Sequence, residues 1–212
     1  MITTLQKKVI NGGTLSREEA VLLSSVQLEP LCEAADQIRR HFCGNAFDMC
    51  SIINGKSGKC PEDCKYCAQS AHYSADTAVY PLLSTDEILR EAKANAADGI
   101  LRFSIVTSGK RLSDREVEKV CDSFRKIRET CGISLCASMG LLSQKQFKML
   151  KSAGVVRYHN NLETSRRFFP HICTTHTYED KIQAIRDARE SGLTVCSGGI
   201  IGLGETMEDR ID

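Results

Sequence analysis

The sequence lacks the features that mark several common classes of protein. No apolar run approaches the ~20 residues of a membrane span, and residues 1–13 lack the apolar core of a signal peptide. The net charge of +1 gives no electrostatic case for binding nucleic acid or an anionic membrane surface. We therefore expect a cytoplasmic protein, and a composition of 42% hydrophobic and 26% charged residues is ordinary for a soluble globular one.

Cysteine is present in number, but not at the density of a disulfide-stapled protein. Eleven cysteines among 212 residues lie below the ~8–10% that marks a disulfide scaffold. Their count is odd and the expected compartment is reducing, so metal or cluster ligation better explains the clustered ones. Five others follow apolar helix or strand patterns, where a small buried hydrophobe is the default interpretation: Cys32, Cys43, Cys50, Cys121 and Cys131.

The clustered cysteines form one motif in residues 60–67, which read Cys-Pro-Glu-Asp-Cys-Lys-Tyr-Cys. Cys60, Cys64 and Cys67 have the spacing C-x3-C-x2-C, and the proline after the first cysteine favours a loop. Four cysteines fill all four irons of a cubic cluster, so three leave one iron open to another ligand. The alternatives are three unrelated core cysteines, or a structural zinc site completed by His72 or a distant cysteine. No second C-x2-C knuckle supports zinc.

Strand and helix patterns alternate after an N-terminal helical extension, for which we predict two helices within residues 14–45. Five strands are predicted at residues 47–53, 100–106, 133–139, 155–162 and 193–201. The helices between them predict parallel βα units, hence an α/β fold. We expect about five of the eight units of a TIM-type barrel in residues 46–212, after the extension at 1–45. A small open doubly wound sheet is the alternative, but no glycine-rich dinucleotide turn follows the first strand.

Residues 58–70 resemble the cluster loop of radical S-adenosylmethionine (SAM) enzymes, and of biotin synthases in particular. The resemblance implies a 4Fe-4S cluster on Cys60, Cys64 and Cys67, with SAM on its open iron. The string at 158–165 resembles the biotin synthase segment that holds the SAM ribose and the substrate. The string at 195–205 matches a pattern that packs against adenine. The cofactor residues implied are Tyr66, Asn161, Glu163, Lys181, Gly198, Ile200, Gly202 and Glu205, with Asn161 also at the substrate.

Two further cysteines match ligands of the second, sulfur-donating cluster of biotin synthases. These are Cys136 and Cys196, whereas Ser104 stands where the family has a third cysteine. A hydroxyl is a poor iron ligand beside a thiolate. We therefore hypothesise that Cys173 replaces the missing ligand, or that the second cluster is of another type, 2Fe-2S or 4Fe. The alternative is that Cys136 and Cys196 are buried strand cysteines and that Cys173 has no role in its loop. His171 and His176, on either side of Cys173, are expected to be surface histidines.

The resemblance implies sulfur insertion into dethiobiotin to form biotin. One electron from a reduced flavodoxin or ferredoxin would split SAM, and the resulting 5′-deoxyadenosyl radical would take hydrogen from the substrate. Alternatives are a hydrogenase maturase-like or methylornithine synthase-like enzyme, a non-catalytic iron–sulfur electron carrier, or an inactive fragment. Oligomeric state is left open, with a homodimer as one option. Because three barrel units are missing, we expect this chain to be inactive or aggregation-prone unless it is extended.

Overall fold

The structure, a computed structural model, describes residues 1–212. Its contacts divide the chain into two compact units. A helical unit contains Met1–Phe47 and Gly204–Asp212, and a sheet unit contains Asp48–Leu203. The domain boundary expected after residue 45 stays a prediction. None of the helices is both long enough and apolar enough to cross a membrane.

Eight α-helices, five strands and one 3₁₀ helix make up the regular structure. The strands are β1 (Cys50–Lys56), β2 (Arg102–Thr107), β3 (Ser134–Ser138), β4 (Arg157–His159) and β5 (Thr194–Cys196). The helices are α1 (Ile2–Ile10), α2 (Arg17–Leu23), α3 (Leu28–Cys43), α4 (Thr85–Ala97), α5 (Asp114–Thr130), α6 (Gln144–Ser152), α7 (Tyr178–Glu190) and α8 (Met207–Ile211). The 3₁₀ helix is Phe169–His171.

The helical unit contains the two helices predicted for residues 14–45, which are α2 and α3, and it adds α1. Ser16 begins α2 with a capping box, in which its hydroxyl accepts from the Glu19 amide at 3.2 Å. α1 was missed because no capping residue precedes its first turn; its N-cap is Met1, without a side-chain hydrogen bond.

The sheet unit has the predicted parallel α/β architecture. Its five strands lie in the order β1-β2-β3-β4-β5, and every neighbouring pair is parallel. Sequential order without a reversal is the arrangement of a (β/α) barrel, whereas a doubly wound sheet reverses its order at a switch point. The prediction of a barrel-type sheet is therefore confirmed, and the open doubly wound alternative is wrong.

Several strand boundaries differ from those predicted. β1 runs to Lys56 instead of residue 53, and β4 and β5 are three residues each instead of eight or nine. Pairing continues irregularly past β4, since the Asn160 amide donates to the Cys196 carbonyl at 3.0 Å and the Leu162 amide donates to the Gly198 carbonyl at 3.0 Å. Hydrophobic alternation cannot predict where a ladder becomes irregular, because the residues there still lie beside the neighbouring strand.

The core lies between the sheet and the helices that connect its strands. Phe103 and Ile105 of β2 are fully buried, as are Phe124 and Ile127 of α5. Cys121 of α5 is 1% exposed, so the prediction of a buried cysteine holds there. The same prediction was wrong for Cys32, Cys43 and Cys50, which are exposed, and Cys131 is half-buried. A periodic pattern assigns a residue to one face of an element but does not determine whether another element covers that face.

Tyr158 is the largest fully buried side chain, and it offers a test of the core. Its hydroxyl donates to the Gly140 carbonyl at 2.7 Å and accepts from the Met139 amide at 3.0 Å. Tyr158→Phe leaves both backbone groups unpaired, so we expect it to lower the free energy of unfolding by ~1–3 kcal/mol in urea titrations.

The matched control is Tyr73→Phe, because the Tyr73 hydroxyl also donates to a carbonyl, that of Asp63 at 2.7 Å, but the side chain is 42% exposed. Water replaces the lost bond there, so the change is expected to stay below ~0.5 kcal/mol. Equal losses in the two variants would contradict the buried role of Tyr158.

Candidate functional site

The three cysteines of the 60–67 loop line one cavity at the C-terminal edge of the sheet. The cavity is about 220 Å³ in volume and is also lined by Glu62, Asn160, His176 and Lys181. Cys60 is buried, whereas Cys64 and Cys67 are half-buried. In parallel (β/α) folds this edge carries the working residues, because the loops that follow the strands meet there. The structure therefore brings together the three cysteines that the motif singled out.

The loop is held in shape by its own backbone. The Cys60 amide donates to the Gln69 carbonyl at 2.9 Å, and the Cys67 amide donates to the Cys64 carbonyl at 3.0 Å. Gly58 precedes the loop at φ +76°, and a β-carbon there would lie 2.6 Å from a Val79 methyl carbon. Glycine is thus required by both the left-handed backbone and the close packing.

The donor set fits a cubic iron–sulfur cluster held by three thiolates. Burial raises the pKa of the Cys60 thiol, while backbone N–H groups of Glu62 and Gly109 act in the opposite direction by donating to its sulfur. Such N–H donors stabilise a thiolate, and hydrogen bonds to sulfur are one means by which proteins adjust cluster potentials.

A second loop, residues 172–176, is hydrogen-bonded to the cysteine loop. Asp63 accepts hydrogen bonds from the Thr174 amide at 2.8 Å and the Thr175 amide at 3.2 Å. The Lys65 amide donates to the Ile172 carbonyl at 3.0 Å. Hydrogen bonds from Thr174 hold the pKa of Asp63 well below its usual range. The acidic pair within the motif thus positions the cysteine loop.

His176 was expected on the surface, and this expectation was wrong. It is 8% exposed, and its Nδ1 lies 2.5 Å from Oε2 of Glu62, which is itself 7% exposed. Burial lowers the pKa of His176, and the hydrogen bond to Glu62 counters part of that effect. The signal that could have revealed this pair is the Glu62-Asp63 dipeptide inside a loop of ligands, because buried carboxylates need polar partners. His171 is exposed, as expected.

Cys173 lies beside the cysteine loop. Its sulfur is 3.7 Å from the Cys64 sulfur, and the side chain is 4% exposed. By contrast, Cys136 has Arg102, Arg157 and Cys196 as its electrostatic neighbours. The assignment of Cys173 to a second cluster stays a prediction, and its contact with Cys64 gives that assignment no support.

Cys136 on β3 and Cys196 on β5 are separated in the sheet by β4, and they interact electrostatically. Cys136 is 4% exposed and Cys196 is exposed. Burial raises the pKa of Cys136, whereas a hydrogen bond from Arg102 lowers it. Ser104 stands directly opposite Cys136 in the β2–β3 register.

Residues predicted to face SAM converge beyond the end of β4. Asn161 and Glu163 lie past the strand and not within it, so the predicted strand alternation does not extend to them. The Lys181 ammonium donates to the Asn161 carbonyl at 2.9 Å, and Tyr66 hydrogen-bonds to Glu163. Glu163 has φ +71°, which is unusual for a residue with a side chain.

Burial perturbs the charged groups in this region. It raises the pKa of Glu163 and of Tyr66, and it lowers the pKa of Lys181. The attraction between Lys181 and Glu163 counters part of the shift in the pKa of each of these two residues, whereas the charge of Glu163 adds to the shift of Tyr66. Ionisable groups in a cleft whose pKa values are shifted by burial are candidates for ligand binding. A charged ligand can supply the interactions that such groups lose when burial removes their water.

The glycine-rich string approaches Glu163 closely. The Ile200 amide donates to the Glu163 carbonyl at 2.8 Å. A β-carbon on Gly199 would lie 2.9 Å from that same carbonyl oxygen, and one on Gly198 would lie 3.4 Å from Oδ1 of Asn161. Gly202 has φ +102°.

Glu205 belongs to the helical unit, where it forms an ion pair with Arg210 at 2.7 Å. It is the one residue of the predicted cofactor set outside the sheet unit.

Comparison with known proteins agrees with this geometry. The sequence model of the Radical SAM superfamily matches residues 56–212. The parallel sheet, the cysteine loop and the match to this sequence model together define the class of the protein, which is a (β/α) domain of the radical SAM type. The biotin synthase of Akkermansia muciniphila is 64% identical over 212 residues, which are 100% of this chain and 66% of that protein. The biotin synthase of Clostridium botulinum strain Alaska E43 is 52% identical over 212 residues, 100% of this chain and 67% of that protein.

The chain therefore belongs to the radical SAM superfamily and, within it, to the biotin synthase family. It spans about two thirds of the length of these relatives. Among solved structures, methylornithine synthase superimposes with a TM-score of 0.84 at 20% identity, covering 98% of this chain and 62% of that one. At that identity the likeness shows the fold alone.

The perturbed carboxyl of Glu163 predicts an unusual pH dependence of stability. Its folded-state pKa lies above the ordinary 4.5, so the folded protein keeps the proton to higher pH than the unfolded chain does. Its contribution to stability is therefore present below about pH 4.5 and is lost as pH rises through the folded pKa. The test compares the free energy of unfolding of the wild type with that of Glu163→Gln. We expect the wild type's advantage over the variant to become smaller as pH rises from 4.5 to 8. The facing groups are Lys181, Tyr66 and His159.

Glu116→Gln is the control with the opposite sign. Burial is the largest single effect on Glu116 and opposes its ionisation, but the hydrogen bonds from Lys56 and from the amide and hydroxyl of Ser113, with the charge of Lys56, together outweigh it, and the pKa falls to about 2. The free energy of unfolding of the wild type, compared with that of Glu116→Gln, should show a constant difference from pH 5 to 8. This difference should become smaller only as pH drops below about 4.5. A flat curve for Glu163→Gln over pH 4.5–8 would contradict the burial effect.

Proposed function

We propose that this chain carries the SAM-cleaving centre of a biotin synthase, which inserts sulfur into dethiobiotin to form biotin. The observation that carries the proposal is the convergence of Cys60, Cys64 and Cys67 on one cavity that Lys181 also lines. Identity of 52–64% with biotin synthases supports this reaction over others of the same superfamily. When bound, the 4Fe-4S cluster supplies the electron that cleaves the sulfonium bond of SAM.

The residues of the chain hold and orient the reactants. Three thiolates leave one coordination position for SAM. Lys181, a buried cation, pairs with the SAM carboxylate as a point charge. Asn161 and Glu163 hold the ribose, and Asn161 also contacts the substrate. Tyr66 fixes the Glu163 carboxylate by the hydrogen bond between them.

The adenine is proposed to lie against the glycine-rich string, with Gly198, Ile200 and Gly202 in the family's pattern. The missing β-carbons keep the backbone open to a flat ring. The left-handed backbone at Gly202 accounts for glycine at that position as well.

Cys136 and Cys196 are proposed to hold the second, sulfur-donating cluster, of the 2Fe-2S or a 4Fe type. The hydrogen bond from Arg102 to Cys136 favours the thiolate form that iron needs. The electron donor is proposed to be a reduced flavodoxin or ferredoxin, and the compartment the cytoplasm.

Replacing one cysteine of the loop tests this assignment. We expect anaerobically reconstituted Cys67→Ala to lose the roughly four irons and four sulfides of one cubic cluster, because its third anchor is gone. The measurement is iron and labile sulfide per chain, together with the change that SAM causes in the electron paramagnetic resonance spectrum of the reduced protein.

Cys121→Ala is the matched control, since Cys121 is a buried core cysteine on α5. It should keep the wild-type iron content and the wild-type response to SAM. In a chain extended to the full length of the biotin synthases it matches, dethiobiotin should raise the release of 5′-deoxyadenosine, and biotin should appear. A full cluster in Cys67→Ala, or 5′-deoxyadenosine release that ignores dethiobiotin, would contradict the proposal.

A further inference from the structure

Two polar side chains that line the cysteine cavity are buried without a hydrogen-bond partner in the protein. Asn160 is 6% exposed and Thr107 is 9% exposed, and both line the cavity that Cys60, Cys64 and Cys67 share. Neither Nδ2 of Asn160 nor the hydroxyl oxygen of Thr107 has a partner. Because buried polar groups are almost always hydrogen-bonded, two unpartnered donors in one cavity point to a ligand that accepts from them.

Other neutral polar side chains of the same cavity do have partners within the protein. The Ser108 hydroxyl donates to the Gly58 carbonyl at 3.0 Å, and Oε1 of Gln69 accepts from the Ser57 hydroxyl at 3.0 Å. These bonds hold the segment before the cysteine loop. The missing partners are therefore particular to the two donors and are not a general property of the cavity wall.

Strand geometry accounts for the direction of the Asn160 side chain. The Asn160 amide donates to the Cys196 carbonyl at 3.0 Å and so extends the pairing of β4 with β5 by one residue. Side chains two residues apart on a strand share a face, which puts Asn160 on the face of Tyr158. The Tyr158 hydroxyl donates to the carbonyl of Gly140, which also lines the cavity.

Thr107 reaches the cavity from a neighbouring strand. It is the last residue of β2, and two residues further on the Gly109 backbone N–H donates to the Cys60 sulfur. The Leu141 amide donates to the Lys110 carbonyl at 2.7 Å, so the segments that follow β2 and β3 are joined. One donor already bonded to a cysteine sulfur and two unpartnered donors thus meet at the same cavity.

We propose that the Asn160 side-chain amide and the Thr107 hydroxyl donate hydrogen bonds to sulfur atoms of the 4Fe-4S cluster on Cys60, Cys64 and Cys67. Hydrogen bonds to cluster sulfurs raise the reduction potential, because they stabilise the added negative charge of the reduced state. The two donors therefore ease the one-electron reduction that precedes SAM cleavage. The proposal rests on the proposed function, since it requires the cluster in this cavity.

Substitutions of similar shape remove the donors and leave the cavity filled. Asn160→Leu and Thr107→Val should each keep the iron and sulfide content of the wild type, and in each the cluster should be reduced only at a lower potential. The measurement is a redox titration without SAM, followed by electron paramagnetic resonance of the signal that Cys67→Ala lacks. Thr107→Ser keeps the hydroxyl and should keep the wild-type potential.

Gln146→Leu is the matched control for the loss of a buried amide. Gln146 is 4% exposed and lies outside the cavity, and its Nε2 donates to the Leu112 carbonyl at 3.0 Å and to Asp114 at 2.9 Å. Because those bonds are made within the protein, the variant should unfold at a lower urea concentration. Its cluster should keep the wild-type potential.

Pulsed electron paramagnetic resonance tests the contact in the wild type. Protein labelled with ¹⁵N in the side-chain amide of asparagine should show a weak ¹⁵N hyperfine coupling to the reduced cluster in the absence of SAM. The coupling should persist in Thr107→Val. It should disappear in Asn160→Leu, and also in Asn160→Asp, which keeps the shape of the side chain but has no amide nitrogen.

Wild-type potentials in both Asn160→Leu and Thr107→Val would overturn the proposal, as would a wild type without ¹⁵N coupling. Coupling that remains after Asn160 is replaced would also contradict it. Potentials that shift only when SAM is present would assign the donors to SAM instead of the cluster. Failure of the proposed function appears elsewhere, as a full cluster in Cys67→Ala or as 5′-deoxyadenosine release that ignores dethiobiotin.

Discussion

The structure depends on how one loop is held against another. The cysteine loop contains its own acidic pair, and both acids turn to the 172–176 loop: Asp63 accepts from two backbone amides, and Glu62 pairs with His176. Without these contacts only the loop's own backbone hydrogen bonds would offset the entropy lost when this polar segment is ordered. Hydrogen bonds to carboxylates are among the stronger ones, so they suit a segment with little apolar surface of its own.

The same contacts set the electrostatics of the cavity. A buried lysine, Lys181, lies among thiols and two buried carboxyls, Glu62 and Glu163. Each charge is costly alone in a desolvated place, and the set is tolerable because opposite charges face one another. A zwitterionic ligand with a carboxylate and a sulfonium fits such surroundings, since each of its charges meets an opposite one. These contacts bring Lys181 and Glu163 beside the cysteine loop although they are distant from it in sequence.

Much of this was predictable from the sequence. Strand–helix alternation predicts the parallel sheet, and the spacing of Cys60, Cys64 and Cys67 predicts the cluster loop, because both are local patterns. The position of His176 was not predictable in that way: its burial depends on Glu62, 114 residues earlier, and no periodic pattern carries that contact. Irregular pairing after β4 likewise escaped prediction, because Glu163 adopts a left-handed backbone that strand alternation excludes. Local patterns thus reveal the elements, whereas contacts between loops require the fold.

The central claim is that three cysteines of this chain hold a cluster whose fourth iron binds SAM directly. Electron–nuclear double resonance on the reduced, reconstituted protein tests it, with SAM labelled by ¹⁵N at its amino group and ¹⁷O at its carboxylate. Direct binding predicts hyperfine coupling from both labels, lost when unlabelled SAM competes. A reduced cluster that shows no coupling to either label, with SAM at saturating concentration, would contradict the account.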